Sequence, residues 1–407
     1  MERMANMSKG TIIYVGAFEL PDKNAAAHRV MANAKIFSKL GYSTVFIGID
    51  KKLKYDSSIN TTKQDLEEFE CWKTPYPTSS KEWFNYLTSI YRFLEIVNKY
   101  DDVKAVICYN YQAIAFERIK KYCRAKSIKV ISDCTEWYGV NEGNILFKTF
   151  KYLDTVVRMK IINKRVDALI VVSNYLREYY KEKITVVIPT LVNRDNLIEP
   201  NYSNSDIVNL FYAGIPFRLG RQLKNRNLAK DRLDKAIKYL FGIYQKNRSV
   251  AFRFDIYGIT KEQYIEVFPD DEYMLDKLKN NVFFHGYRNN EEVRNALHFA
   301  DFTILIRDET RMTQAGFPTK FTESINCGIP VITTNTSDLD AYLVEGKNGF
   351  FIDKGNDNLA EEKLEKILTL DSAEINTMKE YCFKSNIFNI ENWVEATRPI
   401  FEELKKA

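Results

Sequence analysis

Histidine is scarce: there are three in 407 residues (His28, His285 and His298), widely dispersed, so a histidine-rich metal centre is not expected. The six cysteines (Cys71, Cys108, Cys123, Cys134, Cys327 and Cys382) form no C-x-x-C pair and no zinc-ligand spacing. That pattern fits a reduced, cytoplasmic setting and not a disulfide framework. No apolar run approaches the ~20 residues that span a bilayer, and the start of the chain has no signal-peptide pattern. Net charge is only +5, so composition gives no reason to expect nucleic acid as a partner. G-x-G-x-x-G is also missing after the first strand, which runs into GAFELPDKNAA; this argues against an NAD-type dehydrogenase.

What is present is an ordinary globular balance, 45% apolar and 28% charged, which excludes wholesale disorder. The length exceeds one comfortable core, so two domains are expected. TIIYVGAF reads as a strand and AAAHRVMANAKIFSKLG as a helix ending at Gly41. STVFIGI, VKAVICYN, KVISD and ALIVVS are further strand-like runs separated by helix-compatible sequence. A second series begins at IVNLFYAG and passes through AFRFDIYG, NVFFHG, DFTILI and VITTN. Such alternation predicts parallel sheets covered by helices on both faces. The fold class is therefore α/β, with two doubly wound, Rossmann-like domains facing across a cleft. Expected boundaries are 1–195 and 206–385, with a helical tail at 386–407 that returns to the N-terminal domain or stays with the second.

Residues 144–165, NILFKTFKYLDTVVRMKIINKR, combine six basic residues with an apolar stripe at helical spacing. This is either an ordinary surface helix or one that rests on an anionic membrane. Asp338-Leu-Asp340 spells D-x-D, but Ser337 and Asp338 read better as helix N-cap residues, and no metal is expected.

The most informative stretch is 316–335, GFPTKFTESINCGIPVITTN. Pro318 suits the first turn of a helix and Gly328 the position just past its end. Phe321, Ser324, Ile325 and Gly328 share an inward face, whereas Lys320 and Glu323, at i,i+3, share another edge near the helix start. A helix N-terminus offers unpaired amides and partial positive charge, a natural seat for phosphate. Lys320 adds a full charge, and Glu323 can accept from two vicinal hydroxyls. Phosphate beside a diol describes a ribose diphosphate; the plain alternative is a solvated Lys–Glu pair.

FTESINCGIPVITT and VEGKNGFFID resemble the GT-B glycosyltransferases, family 4 in particular, and GFPTKFTES resembles the P-x-K-x-x-E variant of branches that build bacterial surface polysaccharides. The resemblance implies an acceptor-side N-terminal domain and a nucleotide-sugar-binding second domain. It also implies retaining, metal-independent transfer of a hexosyl-type sugar to a glycan or polyprenyl-linked acceptor in capsule, exopolysaccharide or O-antigen synthesis. NLFYAGIPFRLGRQLKNRNLAKDRLDKAI is similar to the family's strand–glycine–basic segment, which places Lys230 and Arg218 on the donor diphosphate, with Arg221 in reserve. SDCTEWYG is similar to the segment that brings Asp133 and Glu136 to the acceptor; Asp133 also fits a turn cap. Where many members carry a second glutamate, this chain has Ala315, which leaves sugar recognition to Gly316, Phe317, Arg307, Asp308 or Glu309. Pro318, Thr319, Lys320 and Glu323 complete the donor site.

Gly16 ends the first strand where a backbone approaches a ligand, or is a plain strand-end glycine. Tyr287 stacks on the base or presents its backbone to it, or is a buried-edge tyrosine. No cofactor is called for, the nucleotide sugar being substrate. A cytoplasmic protein, at the inner membrane face if 144–165 binds lipid, is expected. A non-catalytic relative acting as a scaffold, or a sugar-nucleotide epimerase, are the rival readings.

Overall fold

The computed structural model describes residues 8–55, 62–66, 68–137, 145–191, 199–220, 223 and 225–404. The chain divides into two compact units: 1–193 with 315–317 and 389–407, and 194–314 with 318–388.

The first unit runs β1 (Thr11–Gly16), α1 (Ala25–Lys39), β2 (Ser43–Asp50), β3 (Thr62–Leu66), β4 (Phe69–Pro75), α2 (Ser80–Thr88), α3 (Tyr91–Val97), β5 (Val103–Tyr109), α4 (Ala113–Ala125), β6 (Lys129–Cys134), α5 (Ile145–Val157), β7 (Ala168–Val171), α6 (Asn174–Tyr179) and β8 (Ile184–Val187). Its sheet has the order β3-β4-β2-β1-β5-β6-β7-β8. The apolar runs of β1, β2 and β7 are buried along nearly their whole length, and that of β5 through its centre, as strands covered on both faces must be. Helix α1 starts where the Asn24 side chain accepts from the Ala27 amide, and Gly41 beyond its end holds a φ of +92°. The sheet departs from an all-parallel one at its edge, where β3 pairs antiparallel with β4. The side chains of β3 (TKQDL) are nearly all exposed, so it carries no apolar pattern by which sequence could have marked it.

The second unit runs β9 (Val208–Ala213), α7 (Leu233–Lys246), β10 (Phe252–Tyr257), α8 (Lys261–Val267), α9 (Glu272–Lys277), β11 (Val282–Gly286), α10 (Asn290–His298), β12 (Phe302–Leu305), α11 (Arg311–Ala315), α12 (Thr319–Asn326), β13 (Val331–Thr333), β14 (Gly349–Phe351), α13 (Asp357–Leu368) and α14 (Ser372–Ser385). The last residue of α11 groups with the first unit. The sheet order is β11-β10-β9-β12-β13-β14, every pairing parallel. Strand order reverses between β9 and β12, and ligands of open α/β sheets bind beyond the carboxyl ends of the strands at such a point. A buried ion pair, Lys379 Nζ to Asp301 Oδ1 at 2.8 Å, ties α14 to the residue just before β12.

The final helix, α15 (Val394–Leu404), belongs to the first unit, where the Phe401 ring lies 5.3 Å from Phe37 and 4.7 Å from Tyr42. Helix α5 continues through a π-helical turn at Arg158–Ile162. Arg158, Met159 and Ile162 are buried there, whereas Phe150, Leu153 and Ile161 stay exposed beside Lys160, Lys164 and Arg165. No helix among the described residues is long and apolar enough to cross a membrane.

Candidate functional site in the second unit

The stretch around α12 forms as its residue types dictate, with one correction. Pro318 is the N-cap, at φ −75° and ψ 110°, and not a residue of the first turn. Thr319 and Lys320 are therefore the first helical residues. Their amides have no intrahelical acceptor, while that of Phe321 already donates to the Pro318 carbonyl. Phe321, Ser324 and Ile325 are buried, as the spacing predicts. The helix ends in a Schellman motif: Ile329 N–H donates to Ser324 O, Gly328 N–H donates to Ile325 O, and Gly328 sits at φ +75°.

Three elements converge on a carboxylate that the sequence reading had not singled out. Asp231 is 2% exposed and lies just before α7. It accepts from Tyr212 Oη at 2.8 Å, from Arg307 Nε at 2.7 Å and from Lys320 Nζ at 2.8 Å. Tyr212 is on β9, Arg307 follows β12, and Lys320 opens α12, so the cluster sits at the reversal of strand order. Burial works against the charge on Asp231, but Arg307, Lys320 and the Tyr212 hydroxyl outweigh it and hold the carboxyl well below the usual carboxylate range. Burial, with Asp231 alongside, pushes the Tyr212 phenol up, so it remains a neutral donor.

Local backbone chemistry fixes the two cations. Arg307 N–H donates to Thr334 Oγ1 at 2.9 Å, and that hydroxyl donates back to Arg307 O at 2.6 Å. Lys320 reaches Asp231 by passing Gly214, with its ammonium 5.2 Å from the centroid of the Tyr212 ring. A Cβ on Gly214 would lie 2.7 Å from Lys320 Cε, and φ there is +140°, so glycine is required on both counts. The match is close enough that Gly258, at φ +105°, in turn leaves room for the Gly214 carbonyl.

Glu323, one turn further along α12, is exposed, and its carboxylate makes no hydrogen bond or ion pair among the described residues. The surrounding protein mass pushes its carboxyl above the ordinary range, against the pull of Lys320 and Arg294. A carboxylate left unpaired beside a helix start and an ammonium is poised to accept hydrogen bonds from a ligand.

The remaining expectations divide. Lys230 is exposed next to Asp231, and its amide donates to Pro216 O at 3.0 Å. Arg218 is exposed on the loop after β9 and makes no ion pair among the described residues; Arg221 lies outside them. Tyr287 is 82% exposed just past β11, not the buried-edge residue that was the plain alternative. Gly316 and Phe317 group with the first unit, as does the buried Ala315. Asp308 is held by Arg232 and by Lys235 at 3.1 Å, and Glu309 pairs with Lys354, so neither stands free for a sugar. Arg307 spends its Nε on Asp231. Asp338 precedes a 3-10 turn, but its side chain does not cap it.

In the first unit, Asp133 is corrected. It is 0% exposed and accepts from Arg29 Nη2 at 2.8 Å and Nε at 3.0 Å, and from the Tyr14 hydroxyl. Arg29 is anchored as well, donating to Ile188 O at 2.8 Å. This carboxylate neutralises a buried guanidinium and cannot orient an acceptor. Glu136 is half-buried beyond the end of β6, and Gly16 ends β1. The start of the 144–165 segment, residue 144, lies outside the described residues. Among those residues no group of three or more His, Cys, Asp or Glu could hold a metal ion.

Residues 230–384 match the family model of glycosyl transferases group 1, a span that includes Lys230, Asp231, Arg307, Lys320 and Glu323. Solved structures resemble the whole chain. Sucrose-phosphate synthase from Thermosynechococcus elongatus superposes with a TM-score of 0.68 at 14% identity, covering 98% of this chain and 100% of that one. The fold is GT-B. A glycosyltransferase from Rickettsia africae, at 17% identity and a TM-score of 0.63, covers 98% of this chain and 99% of its own. Anabaena HepE, solved in complex with UDP and glucose, gives 13% identity and a TM-score of 0.59, covering 98% and 100%. No curated protein matches the sequence. Within the GT-B fold, the Asp231 cluster and Glu323 lie in the segment that the family model spans.

Proposed function

We propose that this protein is a retaining glycosyltransferase that takes a sugar from a nucleotide-diphosphate donor and moves it to a glycan or polyprenyl-linked acceptor in surface polysaccharide synthesis. The observation that carries the reading is the start of α12. Two amides without intrahelical acceptors, the Lys320 ammonium and the unpaired Glu323 carboxylate are all within one turn of each other. The phosphates take the amides and Lys320, with Lys230 and Arg218 from the loop after β9. The ribose hydroxyls donate to Glu323, and Tyr287 presents its ring to the base.

Charge grows on the departing phosphate as the bond from the sugar's anomeric carbon to oxygen breaks. Fixed cations and oriented amides aimed at that oxygen stabilise the transition state more than the bound donor. The acceptor oxygen bonds to the anomeric carbon on the face the nucleotide leaves, and its proton passes to the departing phosphate. Loss of one such cation costs roughly 2.7–4 kcal/mol in barrier, by analogy with the loss of one oxyanion donor. The exposed apolar and basic side chains of 150–165 give the protein a face for an anionic membrane, where a lipid-linked acceptor resides.

Mass-spectrometric screening of the purified protein against sugar nucleotides, with and without glycan acceptors, tests the reading. Transfer that falls strongly in folded Glu323→Ala and Lys230→Ala supports it; near-normal turnover in both removes it. Donor conversion without acceptor would instead indicate an epimerase.

A further inference from the structure

One hydrogen bond in the first unit joins residues 142 positions apart. Ser173 follows β7 and is 0% exposed. As the N-cap of α6 its hydroxyl accepts from Leu176 N–H at 3.4 Å, and it donates its one proton to Ala315 O at 2.8 Å. Ala315 is also 0% exposed and ends α11, where carbonyls have no intrahelical partner. The start of α11 is held by its own residues. There Thr310 N–H donates to Thr313 Oγ1 at 2.8 Å, and Thr313 N–H donates to Thr310 Oγ1 at 3.2 Å.

The Ser173 bond decides where the next amide points. The carbonyl and N–H of a trans peptide lie in one plane and point in opposite directions. An Ala315 carbonyl held at Ser173 therefore turns the Gly316 N–H away from the interior. Ala315 and Phe317, 0% and 8% exposed, pin the backbone on either side, whereas Gly316 is half-buried. The Gly316 N–H makes no hydrogen bond among the described residues. A backbone donor so placed is open to a ligand. Gly316 lies two residues before Pro318, the N-cap of α12. At about 3.8 Å per residue its Cα is within about 11 Å of Thr319, where the phosphate seat begins. A sugar carried on the donor's outer phosphate falls within that reach.

We infer that Ser173 is a positioning residue for sugar transfer: by holding the Ala315 carbonyl it aims the Gly316 N–H at a hydroxyl of the donor sugar. This rests on the transferase reading above. Ser173 touches no reacting atom, and its effect passes through a single peptide plane. A free nucleotide has no sugar to offer that amide, so its binding is indifferent to Ser173.

The test is calorimetric titration of wild type, Ser173→Gly and Ser173→Thr with UDP-glucose, UDP-galactose, UDP-N-acetylglucosamine and GDP-mannose, and with UDP and GDP alone. Glycine costs an N-cap little, so α6 is kept while the donor to Ala315 is lost. The wild type binds at least one of the sugar nucleotides. Ser173→Gly binds it about tenfold more weakly, the value of one neutral hydrogen bond, with affinity for the free nucleotide unchanged. Ser173→Thr, which keeps the hydroxyl, binds as the wild type does. In wild-type protein carrying isotope-labelled glycine, the Gly316 amide resonance moves with the sugar nucleotide and not with the free nucleotide, a readout that stands even if Ser173→Gly fails to fold. Equal weakening of both ligands in Ser173→Gly, no weakening of either, or a Gly316 resonance that ignores the sugar overturns the inference and leaves the transferase reading in place. A wild type that binds none of the sugar nucleotides sinks that reading, and the inference with it.

Discussion

Replacing Asp231 by alanine removes the common partner of Arg307, Lys320 and Tyr212 in one step. Arg307 is nearly inaccessible, with a side chain 6% exposed, so its charge would be left in low dielectric with no counter-ion. Breaking a buried pair in this way costs about 3–5 kcal/mol. For a unit of this size each kcal/mol moves Tm by about 2–4 °C, so the transition of the second unit falls by about 6–20 °C. Ligand binding moves the other way. With the carboxylate gone, Arg307 and Lys320 are uncompensated cations beside the proposed phosphate seat. A nucleoside diphosphate should therefore stabilise Asp231→Ala by more degrees than it stabilises the wild type. Turnover falls all the same, because Lys320 loses the contact that aims it. Differential scanning calorimetry with and without UDP, GDP and ADP reads both effects. A loss below about 1 kcal/mol, or a variant whose ligand-induced shift is smaller than the wild type's, would refute the assignment of Asp231 as the residue that orders these two cations.

Glu323→Gln should leave the free protein as stable as the wild type or more so at pH 7, while weakening nucleotide binding. The carboxyl's folded pKa lies above its unfolded value, so its contribution is fully present below about pH 4.3 and is lost as pH rises through the folded pKa. Thermal melts of both proteins from pH 4 to 8 should diverge toward neutrality, and parallel curves would contradict the shift. Asp231 has the opposite sign: its folded pKa is depressed, so its stabilisation holds above about pH 3.9 and fails only as pH drops through the folded value. Asp133→Asn should destabilise the first unit by leaving Arg29 buried without a counter-charge, yet leave nucleotide affinity unchanged; calorimetry with a UDP titration checks both halves. Exchanging Lys160 and Arg165 for glutamine should lower partitioning onto anionic vesicles about 30-fold at about 1 kcal/mol per charge, and binding equal to wild type in a sedimentation assay would remove the membrane proposal.

The parts of the site that sequence revealed are those built within one turn of chain. Pro318, Lys320, Glu323 and Gly328 announce a helix with a charged edge because capping and i,i+3 geometry are local. Asp231 was illegible for the converse reason. Its partners lie 19, 76 and 89 positions away, and the only nearby hint is an aspartate placed between Lys230 and Arg232. The same blindness explains Asp133. The end of KVISD is recognisable as a strand end, but Arg29, 104 residues earlier, decides that the carboxylate turns into the core. Sequence period also found the strands that bury both faces and passed over the β3–β4 pair at the sheet edge, where the polar side chains of β3 are nearly all exposed and those of β4 only partly buried.

The central claim is that the start of α12 grips a nucleoside diphosphate, with Glu323 on its sugar hydroxyls. Calorimetric titration of the wild type and Glu323→Ala with the tightest binder among UDP, GDP and ADP, and with its 2′,3′-dideoxy analogue, tests it most directly. The account predicts that losing the two hydroxyls weakens binding to the wild type and makes no difference to Glu323→Ala. Equal weakening in both proteins would show that the hydroxyls are held elsewhere and would contradict it.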